Sequence, residues 1–183
     1  MNEQNIFIVR YGEVALKGRN KPYFERMLTD RIKKILKRKF ENFTVRRQDG
    51  LVFVRADKEY AKEDIIKEIS KVFGVASISP AVEAESHLDA IGEAAIEYMK
   101  ELIEEKGIQS FKVKAKRADK NFPVKSPEIG RIIGAKILIG CKVLHVDVNN
   151  PDCMLHVDVR QDRSYIYQDK IAGFGGLPLG TNG

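Results

Sequence analysis

The 183-residue sequence has no apolar run that approaches the roughly 20 residues needed to cross a bilayer as a helix. Its first residues, Met1 to Asn5, lack the basic and apolar regions of a signal peptide. The two cysteines, Cys141 and Cys153, form no CxxC pair and have no metal-binding spacing, so we expect them to be small buried side chains. These absences predict a cytoplasmic protein without a membrane partner.

Recognisable catalytic arrangements are absent as well. Cys153 lies close to His156 in the sequence, but nothing orients the two for nucleophilic catalysis. The Arg10–Asn20 loop is placed like a phosphate-binding loop, yet five residues separate its glycines where a P-loop has about four. Two interpretations remain open: Lys17 and Arg19 at a helix start could hold a backbone phosphate, or the segment is a structural glycine turn with solvated side chains.

Positive charge is concentrated in two blocks of the sequence. Residues 1–60 carry 15 Lys/Arg against 8 Asp/Glu, and residues 111–142 carry 9 against 2, whereas residues 61–110 carry 5 against 11. Because charges that only solvate a surface tend to intersperse their signs, this segregation indicates one or two basic faces suited to a polyanion such as a nucleic acid. Ordinary solvated helix faces are the alternative.

The first half of the chain shows alternating strand and helix patterns. The predicted elements are a strand at 6–9, a helix at 21–40, strands at 43–45 and 51–54, a helix at 65–73 and a strand at 75–80. The Asp49-Gly50 pair marks a hairpin between the second and third strands. This β-α-β-β-α-β order predicts a ferredoxin-like N-terminal domain over residues 1–81.

A second unit, of the α/β kind, is predicted over residues 82–169. Its elements are a helix at 88–103 with mostly acidic exposed residues, a strand at 111–117, a helix at 128–140 and strands at 143–148, 154–159 and 164–168. Residues 170–183 are too rich in glycine to pack as an element and are expected to form a linker. The predicted fold class of the chain is therefore α+β.

The strand at 111–117 alternates apolar and basic residues. Lys112, Lys114 and Lys116 project from one face of this strand, about 7 Å apart, because a strand rises about 3.3 Å per residue. Holding like charges in register is unfavourable unless a polyanion lies against them, so a binding function is favoured for the strand. Arg117 and Phe122 could stack on an unpaired base, although packing beneath the loop is the favoured interpretation of Phe122.

Two near-repeats, His145-Val146-Asp147 and His156-Val157-Asp158, place a His and an Asp on the same face of each predicted strand. Such pairs can bind a metal, but no third cluster supplies further ligands. A two-faced sheet is the favoured interpretation, with four valines pointing inward: Val146, Val148, Val157 and Val159.

Four segments resemble the tRNA 4-thiouridine synthetases, the ThiI family, in the family's order along the chain. They are Val9–Asn20, Phe111–Arg131, Val146–Asp152 and the Gly175–Thr181 linker. Phe111–Arg131 resembles the THUMP domain of that family, notably at Lys116–Pro123. THUMP domains also occur in RNA methyltransferases and other tRNA-modifying enzymes, so the four segments together are more specific than any one of them.

The resemblance implies a ferredoxin-like domain followed by an α/β THUMP domain, which together hold tRNA, with the THUMP domain gripping the 3′ CCA end. In that family the intact enzyme uses ATP to adenylate a uridine near the acceptor stem, and a cysteine desulfurase supplies the sulfur that replaces the activated oxygen. The family also serves thiamine biosynthesis in bacteria. A homodimer is plausible by the same resemblance.

Residue roles follow from the resemblance by position. The residues expected to contact the acceptor end are Lys114, Lys116, Arg117, Lys120 and Arg131. Arg10, Lys17 and Arg19 match the N-terminal motif of the family. The pyrophosphatase loop Ser-Gly-Gly-x-Asp-Ser would follow the linker, but this chain ends at Gly183 before it, so ATP and Mg²⁺ are expected only in a missing C-terminal catalytic domain.

Three hypotheses for function follow. The favoured one is the tRNA-binding portion of a tRNA 4-thiouridine synthetase, an ATP-dependent tRNA sulfurtransferase, with no catalytic residue, metal or cofactor assigned to this chain itself. The second is a free-standing THUMP-type RNA-binding adaptor that presents tRNA to a separate catalytic partner. The third is a protein-interaction domain that binds no RNA and has merely solvated basic blocks.

Overall fold

A computed structural model describes residues 4–12, 20–48, 50–168 and 171–173 of the chain. In chain order the elements are β1 (Gln4–Tyr11), α1 (Lys21–Lys37), β2 (Phe43–Gln48), β3 (Leu51–Asp57), α2 (Lys62–Ser70), β4 (Val75–Glu85), α3 (Leu88–Lys106), β5 (Ser110–Arg117), α4 (Ser126–Gly140), β6 (His145–Val146), β7 (Cys153–Val159), β8 (Arg163–Tyr167) and β9 (Ile171–Ala172). They form two compact units: unit 1 comprises Met1–Pro80 and Asp169–Gly183, and unit 2 comprises Ala81–Gln168.

Unit 1 has the ferredoxin-like fold that its element order predicts. The strand order is β2-β3-β1-β4, and β3 is antiparallel to both β1 and β2. The predicted hairpin is confirmed, since Gln48 pairs with Leu51 across the turn. Gly50 has a φ of +77°, a conformation that glycine adopts without steric cost, while Asp49 lies outside the described residues.

The helices of unit 1 bury the faces that their periodicity predicts. The buried residues of α1 include Phe24, Leu28, Ile32 and Leu36, spaced four apart so that they share one face. The helix predicted at 65–73 extends too far at its C-terminal end. α2 ends at Ser70, so Phe73 lies beyond the helix and is 62% exposed.

A short strand in the range predicted to be a linker belongs to unit 1. Ile171 and Ala172 of β9 pair antiparallel with β4, and the backbone N–H of Gly173 donates to the carbonyl of Ala76 at 3.0 Å. A Cβ at position 173 would lie 2.3 Å from the carbonyl oxygen of Val75. The close approach of the two backbones therefore requires glycine at this position.

Unit 2 is an α/β unit with the strand order β4-β8-β7-β5-β6. β5 is parallel to β6 and β7, whereas β8 is antiparallel to β7 and β4. α3 and α4 contribute to one hydrophobic cluster with the inward residues of the strands, among them Phe111, Leu155 and Val157. The register places Lys112, Lys114 and Lys116 of β5 beside Met154, His156 and Asp158 of β7. These residues lie on the face of the sheet opposite the hydrophobic cluster.

The prediction of a strand at 143–148 is largely wrong. Only His145 and Val146 form β6, and Val143 and Val148 are exposed. Leu144 is the residue of this segment that packs in the core. Leu138, near the end of α4, is 38% exposed. The valines of this segment alternate as in a buried strand, but no element of the described structure packs on them.

Both cysteines are buried, as predicted, and burial raises the pKa of the Cys141 thiol. Within the described residues, no helix combines the length and the apolar composition needed to cross a membrane.

A buried carboxylate ties α2 to the end of α1. The Glu68 side chain is 5% exposed, and its carboxylate accepts hydrogen bonds from the ammonium groups of Lys39 at 2.6 Å and Lys71 at 3.0 Å. These two hydrogen bonds hold the pKa of Glu68 below its ordinary value, and the bond from Lys39 has the larger effect. A carboxyl group with a lowered pKa in the folded state stabilises the fold above its unfolded pKa.

We predict that Glu68→Gln lowers the free energy of unfolding at pH 7 by about 1 kcal/mol, since both lysines are half-exposed and solvent screens their charge. The difference from wild type should shrink as pH falls below about 4, where the wild-type carboxyl group also becomes protonated. Urea unfolding at pH 7 and pH 3 measures this, with the exposed Glu59→Gln as the control. An equal loss at both pH values would contradict the electrostatic explanation.

Candidate nucleic-acid interface

The outer edge of β5 is open at its middle. β6 pairs only with Ser110 and Phe111, and the described residues place no other strand along that edge. The carbonyl of Phe111 accepts the N–H of Asp147 on this side. Because alternate residues of a strand turn their backbone groups the same way, Val113 and Ala115 also direct their N–H and C=O groups towards the open edge.

α4 runs alongside this edge and comes close to it. A Cβ on Gly130 would lie 3.5 Å from the carbonyl oxygen of Val113, and one on Gly134 would lie 3.9 Å from the Val113 side chain. The helix begins beside the end of β5, since the Arg117 N–H donates to Ser126 Oγ at 3.0 Å. The two glycines therefore leave space between helix and strand that larger side chains would fill.

This space is a groove of about 610 Å³, which we call the β5–α4 groove. Its lining residues are Phe111, Lys112, Val113, Lys114, Ala115, Ser126, Pro127, Gly130, Arg131, Gly134, Ala135, Leu138, Val146 and Val148. Three of them are cations and none is a carboxylate. Lys114 and Arg131 lie towards the start of α4, whereas Leu138, Val146 and Val148 form an exposed apolar end.

The loop between β5 and α4 is held by a set of hydrogen bonds. The N–H groups of Ala118 and Asp119 both donate to the Val159 carbonyl, at 2.9 and 3.2 Å. The guanidinium of Arg117 donates to the Phe122 carbonyl at 2.9 Å, which leaves Arg117 half-buried. Lys120, at the tip of the same loop, is exposed. Arg117 thus positions the loop that carries Lys120.

Phe122 and Arg131 occupy different surroundings. The ring of Phe122 is 8% exposed and packs in the core of unit 2, which agrees with packing beneath the loop rather than base stacking. Arg131 is exposed, and its Nε donates to Glu128 Oε2 at 3.1 Å. This pairing lowers the pKa of Glu128 and raises that of Arg131. Arg131 therefore reaches the groove as a partly neutralised cation.

The two His/Asp pairs are engaged in local contacts. Asp147 Oδ1 accepts the N–H groups of Asn149 and Asn150, and Asp158 accepts hydrogen bonds from Arg160. The His156 ring stacks on Tyr167, with centroids 5.0 Å apart. In the described part of the chain, no group of three or more His, Cys, Asp or Glu residues could hold a metal ion.

The expectation that four valines point inward is correct for two of them. Val157 and Val159 are buried, but Val146 and Val148 are 47% and 59% exposed. The reason is that β6 ends at Val146, so the sheet does not continue under Val148.

The N-terminal candidates are only partly described. Arg10 lies at the end of β1, where its guanidinium donates to Ser79 Oγ at 2.8 Å. Lys17 and Arg19 lie outside the described residues. A phosphate-binding role for Lys17 and Arg19 therefore stays a prediction.

Sequence reasoning missed the apolar end of the groove and the glycines that open it. Gly130 and Gly134 are four residues apart and therefore share one face of α4. That spacing places two positions without side chains on one face of α4, which is a signal that could have been recognised. Val146 and Val148 carried no comparable signal, because exposed and buried valines look alike in a sequence.

The profile of the ThiI ferredoxin-like domain matches residues 6–79, and that of the THUMP domain matches residues 85–169. A probable tRNA sulfurtransferase of Alkaliphilus metalliredigens is 43% identical over 180 residues, which are 98% of this chain and 45% of the relative. The chain thus spans less than half the length of this relative.

Two solved structures are similar over nearly the whole chain. One is a 4-thiouridine synthetase–RNA complex with bound ATP, at 34% identity and a TM-score of 0.82, covering 99% of this chain and 45% of that one. The other is a protein of Pyrococcus horikoshii Ot3, at 31% identity and a TM-score of 0.82, covering 97% of this chain and 58% of that one.

We predict that Ser126→Ala lowers the free energy of unfolding by about 1 kcal/mol, because the Arg117 N–H loses its acceptor at the end of β5. Urea unfolding measures the change. Ser126→Thr keeps the hydroxyl oxygen and is the matched control, which should stay close to wild type. Equal losses in both variants would show that the hydrogen bond is not the cause.

Proposed function

Because this chain belongs to the ThiI family of tRNA sulfurtransferases and carries its ferredoxin-like and THUMP domains, we propose that it binds the acceptor end of tRNA. In this proposal it is the tRNA-binding portion of a 4-thiouridine synthetase, and the β5–α4 groove takes the unpaired 3′ CCA end. The observation that supports this most directly is the groove itself, with an open strand edge, three cations and an apolar end in one place.

Each part of the groove matches one part of an unpaired nucleotide. Lys112, Lys114 and Arg131 supply positive charge for phosphates. The outward backbone groups of Val113 and Ala115 offer one donor and one acceptor each, which can bond to the edge of a splayed base. The apolar side chains at the other end offer contact to a base face. A base-paired stem would hide its base edges, so the groove suits a single-stranded end.

The lysines outside the groove extend the same basic surface. Lys116 is exposed on the lysine face of β5, and Lys120 is exposed on the loop that Arg117 positions. We assign both to backbone phosphates adjoining the 3′ end. Phe122 acts indirectly in this scheme, because its carbonyl holds Arg117 while its ring anchors the loop in the core.

The proposal for the intact protein is wider than this chain. It includes ATP-dependent activation of a uridine, Mg²⁺, sulfur supplied by a cysteine desulfurase, a homodimer and a cytoplasmic location. Family membership is the support for these parts. A free-standing adaptor is not favoured, because the relative named as a tRNA sulfurtransferase matches over 98% of the chain.

We predict that Lys112→Glu/Lys114→Glu weakens binding of intact tRNA about tenfold or more and makes its salt dependence shallower by about one to two phosphate contacts. Binding is measured on full-length tRNA and on the same tRNA without its 3′ CCA, over a salt series. Wild type should prefer the intact tRNA, and the variant should lose that preference. Lys100→Glu, an exposed lysine on α3, is the control for charge.

Equal binding of the two RNAs by wild type would reject the 3′-end assignment. Failure of the wild type to bind either RNA at low salt would instead support the protein-interaction hypothesis.

Val148→Ser tests the apolar end of the groove separately. Val148 is 59% exposed, so its replacement should not disturb folding. We expect the affinity for intact tRNA to fall about threefold to tenfold, in keeping with one lost stacking or apolar contact, while tRNA without CCA is bound as before. A parallel loss on both RNAs would place the 3′ end elsewhere.

A further inference from the structure

Helix α3 of unit 2 carries a row of carboxylates on its outer surface. Its members are four residues apart, so each lies next to the following one on the helix. All five are exposed: Asp89, Glu93, Glu97, Glu101 and Glu105. We call this set the α3 acidic row. It spans about 24 Å, at about 1.5 Å per residue.

Helix stability does not explain the α3 acidic row. Like charges four residues apart destabilise a helix. Asp89 lies in the first turn, where a negative charge interacts favourably with the helix dipole, but Glu105 lies in the last turn, where the interaction is unfavourable. Among the described residues, Asp89 is the one member of the row in an ion pair, with Lys136 Nζ 3.4 Å from its Oδ1.

An apolar depression lies beside the start of the row, between α3 and α4. We call it the α3–α4 groove; it measures about 370 Å³ and is lined by Asp89, Glu93, Ile96, Lys136 and Ile139, among others. Ile96 is half-buried, whereas Ile139 is 75% exposed. The Ile96 side chain lies on the backbone of Gly140, where a Cβ would be 2.9 Å from its Cδ1.

The apolar surface continues past the end of α4 and stays close to the carboxylates. Val143, three residues beyond the helix, is 69% exposed. Burial raises the pKa of the Cys141 thiol, Lys100 lowers it, and the Glu97 carboxylate adds to the rise. Glu97 therefore lies near the end of α4. Exposed isoleucine and valine side chains and a row of carboxylates thus occupy one surface of unit 2.

This surface is separate from the lysines of β5. α3 and α4 pack on one face of the unit 2 sheet, and Lys112, Lys114 and Lys116 lie on the opposite face. The α3–α4 groove and the β5–α4 groove have no lining residue in common. The α3 acidic row repels a nucleic acid or an anionic membrane, so its charge selects a cationic partner.

We propose that the α3 acidic row and the α3–α4 groove form a docking surface for a basic amphipathic helix of a partner protein. The apolar side chains of that helix enter the groove beside Ile96 and Ile139, and its lysines or arginines pair with the row. This inference goes beyond the proposed function, because it concerns a protein and not RNA.

Two other occupants fit the surface less well. An added strand needs an open strand edge, and this surface consists of two helices whose backbone groups bond within each helix. A second copy of this chain offers α1 as its cationic helix, but α1 buries its apolar face in its own core. A helix from a different protein brings both the charge and the apolar face.

The probe for the test is a synthetic lysine–leucine peptide with its leucines on one helical face. A length of about 16 residues matches the row. A peptide of the same composition with its leucines scattered around the helix is the control for charge attraction alone. We expect the full chain to bind the patterned peptide about tenfold or more tightly than the scattered one, measured by titration calorimetry at physiological salt.

Two variants of the chain separate the charged and apolar parts of the surface. Glu97→Lys/Glu101→Lys should weaken binding of the patterned peptide about tenfold or more, and Ile139→Ser about threefold to tenfold. Glu59→Lys/Glu63→Lys makes the same charge change at exposed positions of unit 1 and should bind as wild type does. Thermal unfolding verifies that the variants fold.

Four results would overturn the proposal. They are no binding of the patterned peptide by wild type, equal binding of the two peptides, no greater loss in Glu97→Lys/Glu101→Lys than in the unit 1 control, and self-association of wild type that this variant abolishes. The last result would make a second copy the occupant. Because no RNA enters the test, failure of this inference and failure of the proposed function are distinguishable.

Discussion

Parallel pairing of β5 with β7 is the constraint on which the candidate interface depends. Two parallel strands cannot be joined by a hairpin, so the chain must cross over, and it does so through the loop at 118–125 and α4. α4 then buries Ile129, Ile133 and Ile137 against the sheet, which forces it to run beside β5. The basic strand, the loop with Lys120 and Lys125, and the start of α4 meet because they follow one another in the chain and α4 packs back on the sheet.

An open edge beside that helix needs protection as well as a function. Exposed strand edges pair readily with other sheets, and lysines are a common means of preventing it. Lys112 and Lys114 stand where β6 no longer covers β5, so their charge discourages edge-to-edge association. The same charge attracts a polyanion. In unit 1 the edge strand β2 and the cations of α1 form a comparable combination.

Local sequence signals predicted the elements well where a neighbour covers the apolar residues. The four-residue spacing of Phe24, Leu28, Ile32 and Leu36 reported a real core face, and the Asp49-Gly50 pair reported a real hairpin. The same kind of signal misled at Phe73 and Val148, which have apolar side chains but no covering element. The periodicity of apolar residues shows which face of an element could be buried, but it does not show whether another element packs on that face.

Resemblance to the ThiI family indicated the THUMP domain. The sequence by itself also determined the order of strands and helices, with the ferredoxin-like pattern that this order gives, and the row of lysines on one face of β5. These follow from short-range rules, since side chains alternate on a strand and repeat every three to four residues on a helix. Only the tertiary structure decided that β6 stops at Val146, that Gly130 and Gly134 of α4 face Val113, and that Phe122 is buried. Each of these depends on contacts between residues far apart in the chain, and such contacts exist only once the units have packed.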